Sequence, residues 1–279
     1  MRLSGPAVAA VALLLVPAGC GNGAGDALDE TAAKLGEIRS GRISMTLEVT
    51  PSTPDSQVGF ELEGPFSLPD RAGELPEAAL RYSQIAGARR GDVEFISSRK
   101  QAWVEVEGQA YELPPDRVEG LAAGGAGGAS PLAGLDVASW TRDAELEDGE
   151  PVAGDETERV RAEVDVVRAL NDALSVAGRL GGDGQVAGLH PLQGADAEQL
   201  ERAVSSSSLE VLTGKDDRLL RRLTLDLDIG LSAPRELAGG LGVLRGAKVA
   251  LDLRIEDPNA PVEVEAPEDA LPYSELPTG

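Results

Sequence analysis

Few residues in this chain of 279 have side chains suited to chemistry. His190 is the only histidine and Cys20 the only cysteine. A catalytic serine needs an imidazole beside it, which leaves His190, in a Gly/Pro-rich stretch, and the run Ser205 to Ser208. That run lacks the Gly-x-Ser-x-Gly elbow that lifts a nucleophile out of a sheet, so it reads as strand surface. A structural zinc site draws on several Cys and His ligands, and the chain has one of each. Two acidic pairs remain, Asp226 with Asp228 and Glu105 with Glu107. Both alternate with apolar neighbours, which puts them on the solvated face of a strand, where acids protect edges. These residues predict a protein that is not an enzyme and uses no metal or other cofactor.

The chemistry left is that of the Cys20 thiol. Arg2 precedes the apolar run Val8 to Val16, and Ala18 and Gly19 stand just before Cys20. A basic start, a short apolar core and small residues at a cleavage point make an export signal. The run is far short of the roughly 20 apolar residues that span a bilayer. Because a cysteine follows the small pair, the segment resembles a bacterial lipoprotein signal, with Pro17 where Leu, Val or Ile is usual. In such signals the thiol is diacylated and the bond before it is cut. Residues 1–19 are then a signal peptide and 20–25 a flexible tether. The protein is held by a diacylglyceryl Cys20 at the outer face of the cytoplasmic membrane. Two acyl chains, at about 0.8 kcal/mol per buried methylene, anchor a protein without further help.

Charge narrows the partners. Lysine and arginine total 25 against 48 acids, a net charge of −23, and removal of the signal takes away Arg2 and no acid. Such a surface repels phosphate backbones, which argues against nucleic-acid binding, and it is a poor match for anionic headgroups. With no cysteine after Cys20, the exported domain must stand on its core alone.

The elements that would position a site follow from periodicity. Leu28, Ala32, Leu35 and Ile38 recur at helical spacing, with Asp26 or Asp29 as the N-cap and Gly41 as the stop. In Arg42 to Thr50, Ile43, Met45, Leu47 and Val49 alternate with polar residues; Val58, Phe60 and Leu62 do the same after a Pro/Ser/Asp turn, predicting a hairpin. Short strands follow at Leu80 to Ile85, Val93 to Ser98, Ala102 to Val106 and Ala110 to Leu113, with a tight turn at Glu107-Gly108. Leu121 to Ala129 reads as a Gly/Ala loop and Pro131 to Trp140 as a short helix. Further strands are expected at Thr141 to Glu147 and Glu158 to Val166, then helical spacing from Asp165, a loop at Gly178 to Pro191 and a helix at Ala195 to Val204. Leu209 to Thr213, Leu219 to Ile229 and Val249 to Glu256 close the pattern, with Leu223, Leu225 and Leu227 on one face. Residues 26–266 thus form a single α+β domain on an antiparallel meander. Residues 267–279 form an acidic, proline-rich tail whose end is expected to fray.

One set of features in this order has a counterpart. The cysteine, the N-terminal helix, the AWVEVEGQAYEL hairpin from Ala102 to Leu113, the strand running into DVVRAL and the late hairpin LEVLTGKDDRLLRRLTLDL together resemble the LppX/LprAFG lipoproteins of actinobacteria. Those are relatives in architecture of the LolA and LolB lipoprotein carriers. The resemblance implies a curved antiparallel sheet, an incomplete β-barrel wrapped around a few helices, with an apolar cavity for the acyl chains of a lipid or glycolipid. It implies carriage or transfer of that lipid in the envelope, with an envelope transporter or another protein as partner. Aromatic residues make up only 3% of the chain, which leaves few rigid side chains to fill the middle. The cavity-lining candidates are Ile43, Met45, Leu47, Val58, Phe60, Leu62, Val104, Leu223, Leu225 and Leu227. The same alternation fits a closed core serving a surface interaction module, or a chaperone for other lipoproteins.

A Cys20→Ala chain is expected to move from the membrane fraction to the soluble fraction of an envelope preparation, read by immunoblot. Retention in the membrane would show that another segment holds it.

Overall fold

The computed structural model of the chain describes residues 23–52, 57–87, 89–124, 136–180, 191–230 and 246–277. Cys20, His190, Leu132 and Leu135 lie outside these. Two antiparallel meanders account for most of the fold. The first comprises β1 (Ser40–Pro51), β2 (Val58–Ser67), β3 (Glu77–Ala86), β4 (Arg89–Ser97), β5 (Ala102–Val106) and β6 (Gln109–Glu112). The second comprises β7 (Thr141–Asp148), β8 (Thr157–Val164), β9 (Val204–Gly214), β10 (Leu220–Ile229) and β11 (Ala247–Glu256). A two-residue β12 (Leu271–Pro272) completes an open sheet of 12 strands in the order β12-β6-β5-β4-β3-β2-β1-β11-β10-β9-β8-β7. This is the antiparallel α+β meander expected from the alternation, in the curved, unclosed form that the resemblance implies.

The meanders meet where β1 pairs with β11, from Arg42 opposite Glu256 to Pro51 opposite Ala247. Register across this seam aligns one apolar row: Leu62, Met45, Leu253, Leu223, Val211 and Val160 are successive cross-strand partners from β2 to β8. Side chains alternate between faces along a strand, so the residues between these carry the other face. That outer face is charged and ion-paired: Arg161 lies 2.6 Å from Glu147, and Arg222 lies 2.6 Å from Asp252. The glutamate–glycine turn after β5 takes the left-handed conformation at both Glu107 (φ 54°) and Gly108 (φ 82°), as a tight two-residue hairpin requires. Gly64 answers a closer constraint, since a Cβ there would come within 1.9 Å of the Ala79 carbonyl oxygen on β3.

Four α-helices occur among the described residues: α1 (Ala24–Lys34), α2 (Pro115–Gly124), α3 (Val166–Leu180) and α4 (Gly194–Ala203). None is long and apolar enough to cross a membrane. α1 lies on the inner face, burying Ala24, Ala27, Leu28 and Thr31. It starts before Asp26, with Gly23 at the N-cap and no side-chain cap, so neither Asp26 nor Asp29 takes that role. The reason is burial: Ala24 is fully covered, and its turn is held by the core rather than by a cap. Ala24 and Gly25 are therefore helical, not part of a tether. The helix tightens into a 3-10 turn at Leu35–Glu37, and Gly41 lies inside β1 rather than marking a helix end.

Three other expectations are corrected, the first being the loop from Gly178, since helix Val166–Leu180 runs three residues into it. The start of the Gly/Ala stretch, Leu121 to Gly124, is helical within α2. Pro115 suits the first helical turn, where its missing N–H costs nothing, and the alanines carry the helix on. The tail is docked over its described residues, where β12 pairs in parallel with Tyr111 and Glu112 of β6 and a 3-10 turn follows at Tyr273–Glu275; its last two residues lie outside them. The open edge of β6 supplies hydrogen-bonding groups that no periodicity in the tail announces.

Asp165 sets where α3 begins. Its carboxylate accepts from the Arg168 backbone N–H at 3.1 Å and from Arg142 Nη2 at 2.8 Å. Burial pushes this carboxyl up, but the capping N–H and Arg142 outweigh it and hold it below the usual aspartate range. Asp165→Ala is expected to cost about 1 kcal/mol in urea unfolding. Because the folded carboxyl is the stronger acid, its contribution is complete above the unfolded value near 3.9 and is lost as pH falls through the lower folded value. The gap between wild type and Asp165→Ala should therefore close in strong acid and stay constant from pH 5 to 7.

Candidate ligand-binding face

The inner face of the sheet carries two packed clusters. The larger lies over β7 to β11 and β1, where Leu28, Leu35 and Ile38 meet Trp140, Val160, Leu200, Val211, Leu223, Leu253 and Ile255. Trp140 ends the 3-10 turn Val137–Trp140, and its indole N–H donates to Asp172 on α3 at 2.7 Å. The smaller cluster joins Leu75, Ala102 and Leu113, with Phe95, Val104, Val118, Ala122 and Tyr273 against it; α2 supplies its cover. Between them runs a strip of Val58, Phe60 and Leu62 on β2 with Leu80 and Tyr82 on β3 that is in neither cluster, while Phe66 near the end of β2 packs against the larger one.

The ten candidate lining residues separate accordingly. Leu223, at 3% exposure, is core. Ile43, Met45, Leu47, Leu225 and Leu227 are half-buried and pack against the larger cluster, and Val104 packs into the smaller one. Only Val58, Phe60 and Leu62 stand on the strip itself. Their register partners on β3 bring in a residue the sequence reading did not single out: Tyr82 lies opposite Leu62 and stacks on Phe60 with ring centroids 5.9 Å apart. Tyr82 is 40% exposed and Val58 38%. The signal for Tyr82 was present in the alternation of Ala78, Leu80 and Tyr82 with Ala79, Arg81 and Ser83. Gln84, opposite Phe60, is the strip's polar margin.

No charged side chain among the described residues of β2 and β3 faces this way. Glu61, Glu63 and Arg81 point to the opposite face, where Arg90 pairs with Glu61 and Arg81 lies 3.8 Å from Glu94. Withdrawing the strip from water therefore strips no ion of its hydration. Separately, a cleft of about 820 Å³ lies between α2 and the C-terminal segment, lined by Leu113, Pro114, Pro115, Val118, Pro272 and Tyr273 among others. None of the ten candidates lines it.

Of the chemistry-bearing residues, the serines and aspartates become neighbours: Asp226 lies opposite Ser208 and Asp228 opposite Ser206 across β9 and β10. Ser205 to Ser208 lie in β9, and the Ser207 hydroxyl accepts from the Val164 N–H at 3.1 Å and donates to the Val164 carbonyl at 3.3 Å. Asp226 and Asp228 lie on the outer face of β10, Asp228 within 4.0 Å of Lys248. Among the described residues no group of three or more His, Cys, Asp or Glu is placed to hold a metal ion.

No protein-family model matches the chain, and no curated protein matches it. Among solved structures it is similar to LprF from Mycobacterium bovis, at 12% identity over 88% of this chain and 96% of that one, with a TM-score of 0.44. It is also similar to the MucA/MucB complex of Pseudomonas aeruginosa, at 14% identity over 92% of this chain and 61% of that one, with a TM-score of 0.30. A LolA superfamily protein from Nitrosomonas europaea matches at 9% identity over 84% and 94%, with a TM-score of 0.23.

The division between core and strip predicts unequal stability effects. Leu223→Ala is expected to cost about 3 kcal/mol by urea denaturation, as a buried leucine does. Phe60→Ala, which empties no covered core, is expected to cost about 1 kcal/mol.

Proposed function

We propose that this chain is a lipid-anchored envelope lipoprotein that binds the acyl chains of a lipid or glycolipid on the inner face of its sheet and carries that lipid between surfaces. The observation that carries the reading is the uncharged apolar strip of Val58, Phe60, Leu62 and Tyr82, left between two packed clusters. A monomeric sheet gains nothing by keeping such a row half open to water, whereas a flexible chain laid along it gains by burial. Eight methylenes withdrawn from water contribute on the order of 6 kcal/mol. The charged outer face keeps the loaded protein soluble and offers an acyl chain no rival surface. The anchor complements this, since only Gly21, Asn22 and Gly23 separate Cys20 from α1. A domain tethered so closely meets its membrane at high effective concentration, and extraction then depends on the strip rather than on encounter.

Protein purified in mild conditions is expected to carry co-extracted lipid, detected by mass spectrometry of an organic extract. It is also expected to bind a fluorescent fatty-acyl probe, and Val58→Asp should weaken that binding at least tenfold with an unchanged circular dichroism spectrum. Absence of both lipid and probe binding from folded wild-type protein would overturn the proposal.

A further inference from the structure

The C-terminal segment is bound to the sheet by a contact unlike the others. Every other strand pair among the described residues is antiparallel, whereas β12 meets β6 in parallel over two residues, Leu271 opposite Tyr111 and Pro272 opposite Glu112. Proline has no N–H to give to a ladder, so half of this short strand cannot donate. Both residues are exposed, Leu271 at 37%. The remaining hold centres on one side chain: Gln109 Nε2 donates to the Asp269 carbonyl at 3.1 Å, while Tyr273 packs against the cluster of Leu75, Ala102 and Leu113 with its ring under the Arg117 guanidinium at 4.6 Å. Beside it opens the cleft of about 820 Å³ floored by Leu113, Pro114, Val118 and Pro272.

Charge disfavours this contact further. From Asp257 to Gly279 the chain carries Asp257, Glu263, Glu265, Glu268, Asp269 and Glu275 and no lysine, arginine or histidine. The edge it covers is itself acidic, with Glu107, Glu112, Asp116 and Glu119 against Lys100 and Arg117 in and around β6 and α2. An acidic strap on an acidic edge is opposed by like-charge repulsion, while a basic strand in the same place is attracted. An antiparallel strand with an N–H at every position would also satisfy more of the β6 edge than β12 does.

We infer that the C-terminal segment is a displaceable cap and that the β6 edge is a docking site for a basic extended segment of a partner protein. The partner strand adds antiparallel to β6 in place of β12 and lays one apolar side chain against Leu113, Pro114 and Val118, which the departing segment uncovers. The tail then acts as an internal competitor, released when a better strand arrives.

The test uses full-length protein in a Cys20→Ala background, with a fluorescent peptide of four Lys-Val repeats and a matched peptide of four Glu-Val repeats as probes. Three forms are compared by anisotropy: the parent, Tyr273→Ala to loosen the cap, and a Glu112→Cys, Pro272→Cys pair oxidised to lock it. Neighbouring-strand partners lie about 5 Å apart, within disulfide range. The Lys-Val probe is expected to bind Tyr273→Ala at least fivefold more tightly than the parent. It should be excluded from the locked form until reductant is added, and it should slow amide exchange at residues 109–112. The Glu-Val probe is expected not to bind. Equal binding to locked and loosened forms, binding of both probes alike, or no Lys-Val binding to Tyr273→Ala would each overturn the inference.

Discussion

The segregation of side chains by strand face governs this molecule. Along β1, β2 and β11, and along β10 from Leu223, the large apolar residues fall on alternate positions, and cross-strand register stacks them into rows that run from β2 to β8. A slip of one residue at β1 against β11 would turn Met45 and Leu47 outward and bring Ser44, Thr46 and Glu48 into the core. Helices α1, α3 and α4 pack over the larger cluster and α2 over the smaller one. Where their cover stops, at β2 and β3, the row continues, and the change from core to surface happens along one unbroken apolar register.

Much of this was legible because alternation is a local signal. The strand Ala102–Val106 has the bounds that its pattern implies, since Trp103-Val104-Glu105-Val106 runs straight into a glutamate–glycine turn. The late hairpin ending at Ile229 was equally plain. What the pattern left open was depth. Leu223 and Leu62 belong to the same cross-strand row and are indistinguishable by periodicity, yet one is sealed under helices and the other is not. Depth depends on which helices lie above, and that is a tertiary fact.

Other features were hidden for different reasons. The segment Leu121 to Gly124 looked structureless because glycine and alanine carry no pattern, although alanine sustains a helix well. Asp26 looked like a cap because the helix was expected to begin where its apolar spacing begins. Burial of Ala24, a residue too small to register as periodic, moved the start back. The alternation on β3 is faint because the strand mixes small and polar residues, and the register opposite Leu62 together with stacking on Phe60 joins Tyr82 to the larger side chains across from it.

The seam between β1 and β11 also sets a timetable. A chain made from its N-terminus has β1 in hand roughly 200 residues before its partner strand exists, and closing so long a loop is entropically costly and slow. Until Leu251, Leu253 and Ile255 arrive, β1 has only β2 to pair with, and α1 has no completed floor on which to rest its leucines. Any chain that stops short of β11 is therefore left as two unjoined meanders with exposed strand edges. Such a product is open to proteolysis and self-association, so the last strands act as a proofreading step on the completeness of synthesis.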